Sequence, residues 1–125
     1  MILGLGTDLI AVARIRSVYQ RHGSRFLDRV FTAEEATYCL AATDPCERLA
    51  ARWAAKEACM KALGTGWASG VQFRHIGINR SDDGAPHLVL HAGAAARAEA
   101  LGVRTSHVSL SHADGMAMAT VILEG

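Results

Sequence analysis

Residues 45–66 read PCERLAARWAAKEACMKALGTG, and this stretch decides the fold because it contains the longest helix that the sequence predicts. Pro45 is typical of a helix start, where its missing N–H costs nothing. Gly64 and Gly66 are typical of a helix end, because glycine readily adopts left-handed backbone angles. We therefore expect a helix from Pro45 to Leu63.

Shorter elements lie on both sides of this helix. The spacing of apolar residues, a Thr32–Glu35 capping box and glycine stops predict three helices before it and one after it. Apolar runs joined by turns at 82–84 and 113–115 predict two hairpins. In chain order we expect a strand 2–7, helices 12–22, 24–30, 33–42 and 45–63, strands 72–79 and 87–91, a helix 92–101, and strands 105–112 and 116–123.

This order of elements predicts an α+β fold with helices packed on a mostly antiparallel sheet. No internal repeat, low-complexity tract or linker interrupts the chain, so we expect a single domain over residues 1–125. That length is ordinary for one domain with one hydrophobic core.

Composition narrows the class of protein. Thirteen basic and twelve acidic residues give a net charge of +1, which argues against a polynucleotide-coating protein. No apolar run approaches the ~20 residues of a membrane span, and the first residues carry Asp8 but no basic segment, unlike a secretion signal. Three cysteines, an odd number, suit a reduced chain. We expect a cytoplasmic protein without nucleic-acid or membrane partners.

The positive charge is concentrated in the first predicted helices. Eleven of the thirteen basic residues are arginines, and five of those lie between Arg14 and Arg29, opposed by Asp28 alone. Such a run is typical either of a solvated helix face or of a docking surface for an acidic protein. The charge pattern by itself leaves both interpretations open.

Glu57 is the first candidate for chemistry. On a wheel of ~100° per residue it falls within ~60° of Trp53, Ala54 and Met60, so it points with the apolar stripe, and Lys61 lies ~40° away. One interpretation is an ordinary Glu–Lys pair at the edge of the stripe. The other is a buried acid reserved for a hard cation, with a lysine one turn later for an anionic substrate.

Asp8 is the second candidate. It follows the first strand and precedes a helix, so it is either an N-cap or a metal ligand at the end of a strand. Gly4 and Gly6 allow close approach of backbone or substrate. Leu9 stands where a dinucleotide fingerprint needs its third glycine, and no P-loop motif occurs.

The third candidate is His112, at the end of Ser109-Leu110-Ser111-His112. On a strand it shares a face with Val108 and Leu110, which is typical of a core histidine but also allows an anion contact. Neighbouring strand residues point to opposite faces, which argues against a Ser111–His112 nucleophile pair.

Two carboxylates and a lysine suit Mg²⁺-assisted chemistry on a phosphate ester, because Mg²⁺ takes one or two carboxylates and keeps water or phosphate oxygens in its other positions. Mn²⁺ would suit the same ligands. Two other functions stay open: a Mg²⁺-dependent nucleotide phosphohydrolase, and a non-enzymatic adaptor that binds an acidic partner through the arginine-rich helix.

Three ordered motifs carry a family resemblance. Residues 6–10 (GTDLI), 52–66 (RWAAKEACMKALGTG) and 109–112 (SLSH) together resemble the short 4′-phosphopantetheinyl transferases of the holo-[acyl-carrier-protein] synthase family. The resemblance implies transfer of phosphopantetheine from coenzyme A to a serine of apo acyl carrier protein, with release of adenosine 3′,5′-bisphosphate. It also implies a homotrimer with active sites at subunit interfaces.

The resemblance assigns roles to the catalytic candidates. Asp8 and Glu57 match the two Mg²⁺ ligands, and Lys61 matches a lysine that neutralises or protonates the leaving phosphate. Whether Glu57 or a metal-bound hydroxide takes the serine proton stays open. Arg52 and His112 match positions at the nucleotide end of coenzyme A.

The resemblance also places Gly64, Thr65 and Gly66 beside coenzyme A. Arg14, Arg21 and Arg25 resemble the basic surface with which members of the family bind the acidic carrier protein. The resemblance therefore favours the docking interpretation of the arginine run.

The chain departs from the family's pattern at three positions. His75 stands where many relatives have an acid, and Ala85 stands where a basic residue is common, which weakens any phosphate contact from that turn. Trp67 is bulkier than expected beside the pantetheine.

Overall fold

A computed structural model describes residues 1–66 and 70–125, so Trp67 lies outside the described residues. The expected order of elements is confirmed. The elements are β1 (Ile2–Ala11), α1 (Val12–His22), α2 (Ser24–Val30), α3 (Ala33–Leu40), α4 (Cys46–Leu63), β2 (Ile76–Arg80), β3 (Pro86–Leu90), α5 (Ala92–Leu101), β4 (Thr105–Ala113) and β5 (Met116–Glu124), with a 3₁₀ turn (Phe73–His75) before β2.

The strands form two antiparallel sheets. One has three strands in the order β1-β5-β4, and the other is the β2-β3 hairpin. In the larger sheet Asp8 pairs with Ala119, and Ala119 pairs with Leu110. Paired residues point to the same face, so Asp8 lies on the face that also carries Leu110 and His112.

The first strand is longer than the sequence predicts. β1 continues to Ala11, which is the N-cap of α1 and makes no side-chain cap bond. Asp8 therefore lies inside a strand, and its interpretation as an N-cap is wrong. The physical reason is pairing: the whole of β1 is matched by β5, so the ladder extends past the acid.

Gly4 and Gly6 let β1 lie directly against α4. A Cβ on Gly6 would collide with the carbonyl oxygen of Ala58, and one on Gly4 with that of Ala62. The close approach is thus between two backbones. Any side chain at either position would push the strand away from the helix.

Helix α4 is the centre of the core and is buried on almost every side, Arg52 and Lys56 included. A seam of partly exposed residues, Trp53, Glu57 and Lys61, runs along one side. The predicted apolar stripe around Glu57 is therefore wrong: the sheet and α1–α3 cover the other sides of the helix, which a wheel of one helix cannot show.

The other face of the larger sheet carries exposed apolar side chains. Leu5 and Leu9 are each 63% exposed and Met118 is 43% exposed. The expectation of a buried first strand therefore holds for one face and is wrong for the other. No helix of the described residues is long and apolar enough to cross a membrane.

Candidate active site

Asp8, Glu57 and Lys61 lie together where β1 meets the open seam of α4, and we call them the carboxylate site. The Lys61 ammonium donates hydrogen bonds to the carbonyl oxygen of Thr7 at 2.9 Å and to Asp8 Oδ1 at 3.3 Å. Glu57 lies one helical turn before Lys61 on the same seam. Lys61 thus pairs with Asp8 across the strand–helix contact, rather than with its own-helix neighbour Glu57.

The carboxylate site has more negative than positive charge. Partial burial raises the pKa of Glu57, the neighbouring charge of Asp8 raises it further, and Lys61 opposes both. Asp8 is itself mostly covered, with a side chain 18% exposed. The charge of Asp8 disfavours ionisation of Glu57, and a single ammonium accompanies the two carboxylates, so the site provides a favourable environment for an added cation.

The donor set of this site fits Mg²⁺. Among the described residues, no group of three or more His, Cys, Asp or Glu side chains is arranged to hold a metal ion, so an ion here would have Asp8 and Glu57 as its protein ligands. Mg²⁺ commonly binds through one or two carboxylates and takes its other ligands from water and phosphate. Mn²⁺ accepts the same oxygen donors.

A second cationic feature, which we call the arginine cluster, surrounds the ring of Tyr38. The guanidinium carbons of Arg48, Arg52 and Arg80 lie 4.2, 4.3 and 5.4 Å from the ring centroid. Cation–π contact partly offsets the mutual repulsion of the three charges. None of the three arginines forms an ion pair with a carboxylate of the described residues.

Arg52 is the buried member of the cluster, with 2% of its surface exposed. Its Nε has no hydrogen-bond partner among the described residues. A buried donor without an acceptor is costly, and here it lies among other unneutralised cations. The arginine cluster is therefore suited to bind an anion.

The β2–β3 turn contributes to this cluster through Arg80. Ala85 supplies no charge to this turn. Arg80 does, because its side chain reaches the turn and donates a hydrogen bond to the carbonyl oxygen of Gly84. Sequence reasoning missed Tyr38, Arg48 and Arg80. The available signal was the spacing of Arg48 and Arg52, which places two cations on one side of a helix.

His112 lies away from the carboxylate site of its own chain. It is 53% exposed, and its Nδ1 is 3.3 Å from Glu47 Oε1, so the interpretation as a core histidine is wrong. Glu47 lies ten residues before Glu57, about 15 Å along the helix at ~1.5 Å per residue. The tertiary structure therefore does not bring His112 to Asp8 and Glu57 within one chain.

Gly64, Thr65 and Gly66 leave the end of α4 directly after Lys61. Gly64 has a φ of 73° and closes the helix in the left-handed conformation. Arg97 of α5 donates to the carbonyl oxygen of Leu63 at 3.0 Å, which anchors this end of the helix. The loop starts from a fixed point beside the lysine.

Arg14, Arg21 and Arg25 are exposed on α1 and α2, and they form no ion pair with a carboxylate of the described residues. We call them the basic helix face. Arg16 differs, because it forms two hydrogen bonds to the Asp44 carboxylate, at 3.0 and 2.8 Å. The arginine run therefore divides into one structural residue and a face that is open to a partner.

A cavity of about 860 Å³ borders the basic helix face. Trp53 and Phe73 stack in its wall, with ring centroids 4.6 Å apart. Val18 and Phe26 line it from the side of α1 and α2. We call this space the aromatic cavity; it combines an apolar interior with a basic rim.

Residues 4–121 match the model of the 4′-phosphopantetheinyl transferase superfamily. The chain belongs to this superfamily. A holo-[acyl-carrier-protein] synthase of Koribacter versatilis is 48% identical over 124 residues, which cover 99% of each chain. One from Alkalilimnicola ehrlichii is 46% identical over 125 residues, covering 99% of this chain and 98% of that one.

Solved structures of the superfamily agree with this relationship. The holo-[acyl-carrier-protein] synthase of Neisseria meningitidis is 35% identical, with a TM-score of 0.91 and full coverage of both chains. The Helicobacter pylori synthase in complex with coenzyme A is 30% identical, with a TM-score of 0.85, covering 96% of this chain and 99% of that one. The family resemblance and the α+β fold predicted from the sequence are confirmed.

Within this member of the superfamily, the motif residues divide into three places. Asp8, Glu57 and Lys61 come together, Arg52 lies in the arginine cluster, and His112 lies at the far end of α4. His75 has a local structural contact: its Nδ1 accepts a hydrogen bond from the Gln72 N–H at 3.1 Å and closes the 3₁₀ turn.

Proposed function

We propose that the chain is a holo-[acyl-carrier-protein] synthase that acts as one domain over residues 1–125. It transfers 4′-phosphopantetheine from coenzyme A to a serine of apo acyl carrier protein and releases adenosine 3′,5′-bisphosphate. The observation that carries the proposal is the carboxylate site, because it joins Asp8 of β1 to Glu57 and Lys61 of α4. The coenzyme A bound to the Helicobacter pylori relative supports the choice of donor.

The chemistry is a phosphoryl-type transfer. The serine oxygen of the carrier attacks the phosphorus next to pantetheine, and the bond from that phosphorus to the bridging oxygen of the pyrophosphate breaks. The serine proton would pass to a base at the carboxylate site, and Glu57 is the candidate that this chain supplies. Such reactions need positioning and charge neutralisation more than covalent help from the protein.

Asp8 and Glu57 would hold Mg²⁺, which supplies positive charge for the pyrophosphate oxygens when bound. The Lys61 ammonium, fixed by Thr7 and Asp8, lies on the same side of the site. It would neutralise the negative charge that develops on the departing phosphate, or donate a proton to it.

The arginine cluster would bind the nucleotide end of coenzyme A. Arg52 would have the role that the family resemblance assigns to it, and Arg48 and Arg80 would add two further charges around the same ring. The support is chemical: three guanidiniums without a carboxylate partner among the described residues would be neutralised by a phosphate. The Gly64–Gly66 loop, which follows Lys61 at the end of α4, would border the coenzyme.

A homotrimer would complete the active site. The exposed apolar face of the larger sheet, including Leu5, Leu9 and Met118, is suited to cover itself with a second copy of the chain. His112 lies far from its own carboxylate site, so it would serve the nucleotide at the site of a neighbouring subunit. Active sites at subunit interfaces follow from that placement.

The carrier protein would dock on the basic helix face. Arg14, Arg21 and Arg25 present positive charge that is not neutralised by the described part of the chain, and an acidic carrier offers the complementary charge. The aromatic cavity beside this face would take an apolar side chain of the carrier. We propose a cytoplasmic location, with neither nucleic acid nor membrane as partner.

The test is mass spectrometry of an apo acyl carrier protein incubated with coenzyme A, Mg²⁺ and the chain. A pantetheinyl adduct on the carrier, together with adenosine 3′,5′-bisphosphate, is expected. Release of phosphate or a mononucleotide from coenzyme A without any carrier would instead identify a phosphohydrolase. Carrier binding that survives Asp8→Ala and Glu57→Ala, with no adduct from the parent chain, would identify an adaptor.

A further inference from the structure

A second acid–lysine pair, which we call the buried pair, lies inside the core next to the carboxylate site. Lys56 and Glu35 are both essentially without solvent exposure, and their Nζ and Oε1 atoms are 2.7 Å apart. Glu35 also accepts hydrogen bonds from the backbone N–H of Thr32 at 2.9 Å and of Ile78 at 3.1 Å. The pair therefore ties α3, α4 and β2 together.

The remaining donors of Lys56 hold one short segment. The ammonium donates to the carbonyl oxygen of Phe73 at 3.1 Å and to that of Ile76. These two carbonyls bracket the 3₁₀ turn Phe73–His75, which replaces the start of the strand that the sequence predicts. Lys56 thus determines where this turn lies relative to α4.

The turn forms one wall of the aromatic cavity. Phe73 stacks on Trp53, and the exposed Arg74 lines the cavity beside it. Arg25 and Phe26 of α2 line the same cavity. The cavity is therefore bounded by a wall of α1 and α2 and by a second wall whose position depends on a buried ammonium.

A gain in stability does not account for this arrangement. Taking a lysine and a glutamate out of water costs several kcal/mol, and apolar residues of similar size often serve a core as well or better. A fully hydrogen-bonded buried pair instead selects one geometry, because any shift of the turn leaves a charge or a carbonyl without a partner. What the buried pair provides is the placement of the second wall.

We propose that the second wall, Phe73 and Arg74, is part of the carrier-docking surface and that Lys56 and Glu35 are positioning residues for it. The inference rests on the proposed function, in which an acidic carrier docks on the basic helix face. Arg74 adds a positive charge on the turn that lines the same cavity, so the carrier would contact α2 and the turn together. Lys56 acts on carrier recognition through the turn and does not touch coenzyme A.

The direct test is Arg74→Glu, since this side chain is exposed and its replacement leaves the core intact. Arg104→Glu is the matched control, because Arg104 is equally exposed and does not line the cavity. Binding of purified apo acyl carrier protein and of coenzyme A is measured separately by calorimetry, without turnover. Arg74→Glu should raise the carrier Kd about tenfold, an effect typical of a charge reversal at an interface, and leave the coenzyme A Kd within about twofold.

The second arm replaces the buried pair as a unit, with the double variant Glu35→Gln and Lys56→Met, which leaves no unpaired charge. Its KM for the carrier should rise about five- to tenfold while its KM for coenzyme A stays unchanged. A purely structural role would instead lower the apparent kcat in proportion to the folded fraction, measured by circular dichroism, and leave the KM for the carrier unchanged. That proportional loss would overturn the positioning role.

The outcomes separate this proposal from the function on which it rests. If the parent binds the carrier without modifying it, the synthase assignment fails, but the Arg74→Glu comparison still decides whether the second wall touches the carrier. If Arg74→Glu and Arg104→Glu bind the carrier equally well, the second wall is not a docking surface, whatever the parent catalyses.

Discussion

Lys56 and Glu57 are neighbours in α4, yet they belong to two acid–lysine groups with opposite surroundings. Lys56 is fully buried, and the protein supplies every partner of the buried pair. Glu57 is half-buried in the carboxylate site, where two acids share one lysine that is 53% exposed. In the buried pair every charge has its partners within the chain. In the carboxylate site the two carboxylates outnumber the one ammonium.

This difference shows that unmet charge marks the candidate metal site better than burial does. Glu57 attracts interest from sequence because a helix wheel places it with the apolar residues, but the fully buried acid of this region is Glu35. A buried group with all its partners is structural. A carboxylate beside another carboxylate, with too few cations, favours an added ion.

The largest expected effect is on transfer when the carboxylate site loses a charge. Glu57→Gln should lower the rate of adduct formation by at least about 10²-fold, because it removes one of the two proposed Mg²⁺ ligands and charge stabilisation of this kind is worth that much. Mass spectrometry of the carrier measures the rate. Glu99→Gln, at an exposed acid of α5, is the control; full activity of Glu57→Gln with Mg²⁺ present would refute the ligand assignment.

Substitution in the buried pair should lower the free energy of unfolding more directly than it lowers the rate of transfer. Lys56→Met leaves the Glu35 carboxylate buried without its cation, so unfolding free energy should fall by about 3–5 kcal/mol. Urea denaturation followed by circular dichroism gives the value. Lys61→Met is the contrasting variant: its exposed ammonium should cost less than about 1 kcal/mol while transfer declines. Equal stability losses in the two variants would remove the distinction between the groups.

The basic helix face is a third group whose charges have no ion-pair partner among the described residues, so carrier binding to it should depend on salt concentration. Reversal of Arg14 and Arg21 to Glu should weaken carrier binding by about tenfold or more at about 50 mM salt, and by less at about 500 mM, because salt screens exposed charges. Coenzyme A affinity should not change. Carrier binding by the parent that is the same at both salt concentrations would argue against an electrostatic docking surface.

The smallest effect is expected at an exposed pair whose charges are fully matched. The Arg16 guanidinium, through its hydrogen bonds, lowers the pKa of Asp44 from 3.8 to about 2. A lowered folded-state pKa stabilises the fold above pH 3.8, and this contribution is lost as the pH falls toward 2. Asp44→Asn should therefore have a slightly lower Tm than the parent near neutral pH.

Calorimetry across pH checks this effect. The gap in Tm between the parent and Asp44→Asn should close between about pH 4 and about pH 2. A gap that widens as the pH falls would contradict the assigned direction of the shift.

Local patterns in the sequence were sufficient for the elements and for the main candidates. The glycine that ends α4, the Thr32–Glu35 capping box and the alternation in the hairpins act within a few residues, so they can be read along the chain. The motif around Glu57 and Lys61 also carried the family resemblance. These features depend on backbone conformation and short-range hydrogen bonds.

Other features depend on segments that are far apart in the sequence. Glu35 reaches Lys56 across 21 positions and Lys61 reaches Asp8 across 53, and no local pattern indicates which acid meets which lysine. Arg80 joins Tyr38 and Arg52 in the same way.

The sequence by itself determined the order of the elements, the family and the residue types of the carboxylate site. Only the tertiary structure decided that Asp8 lies within a strand, that Lys56 is buried while Glu57 is partly open, and that His112 lies away from its own site. The physical reason is that burial and charge pairing depend on packing between distant segments, whereas helix ends, turns and strand alternation depend on near neighbours.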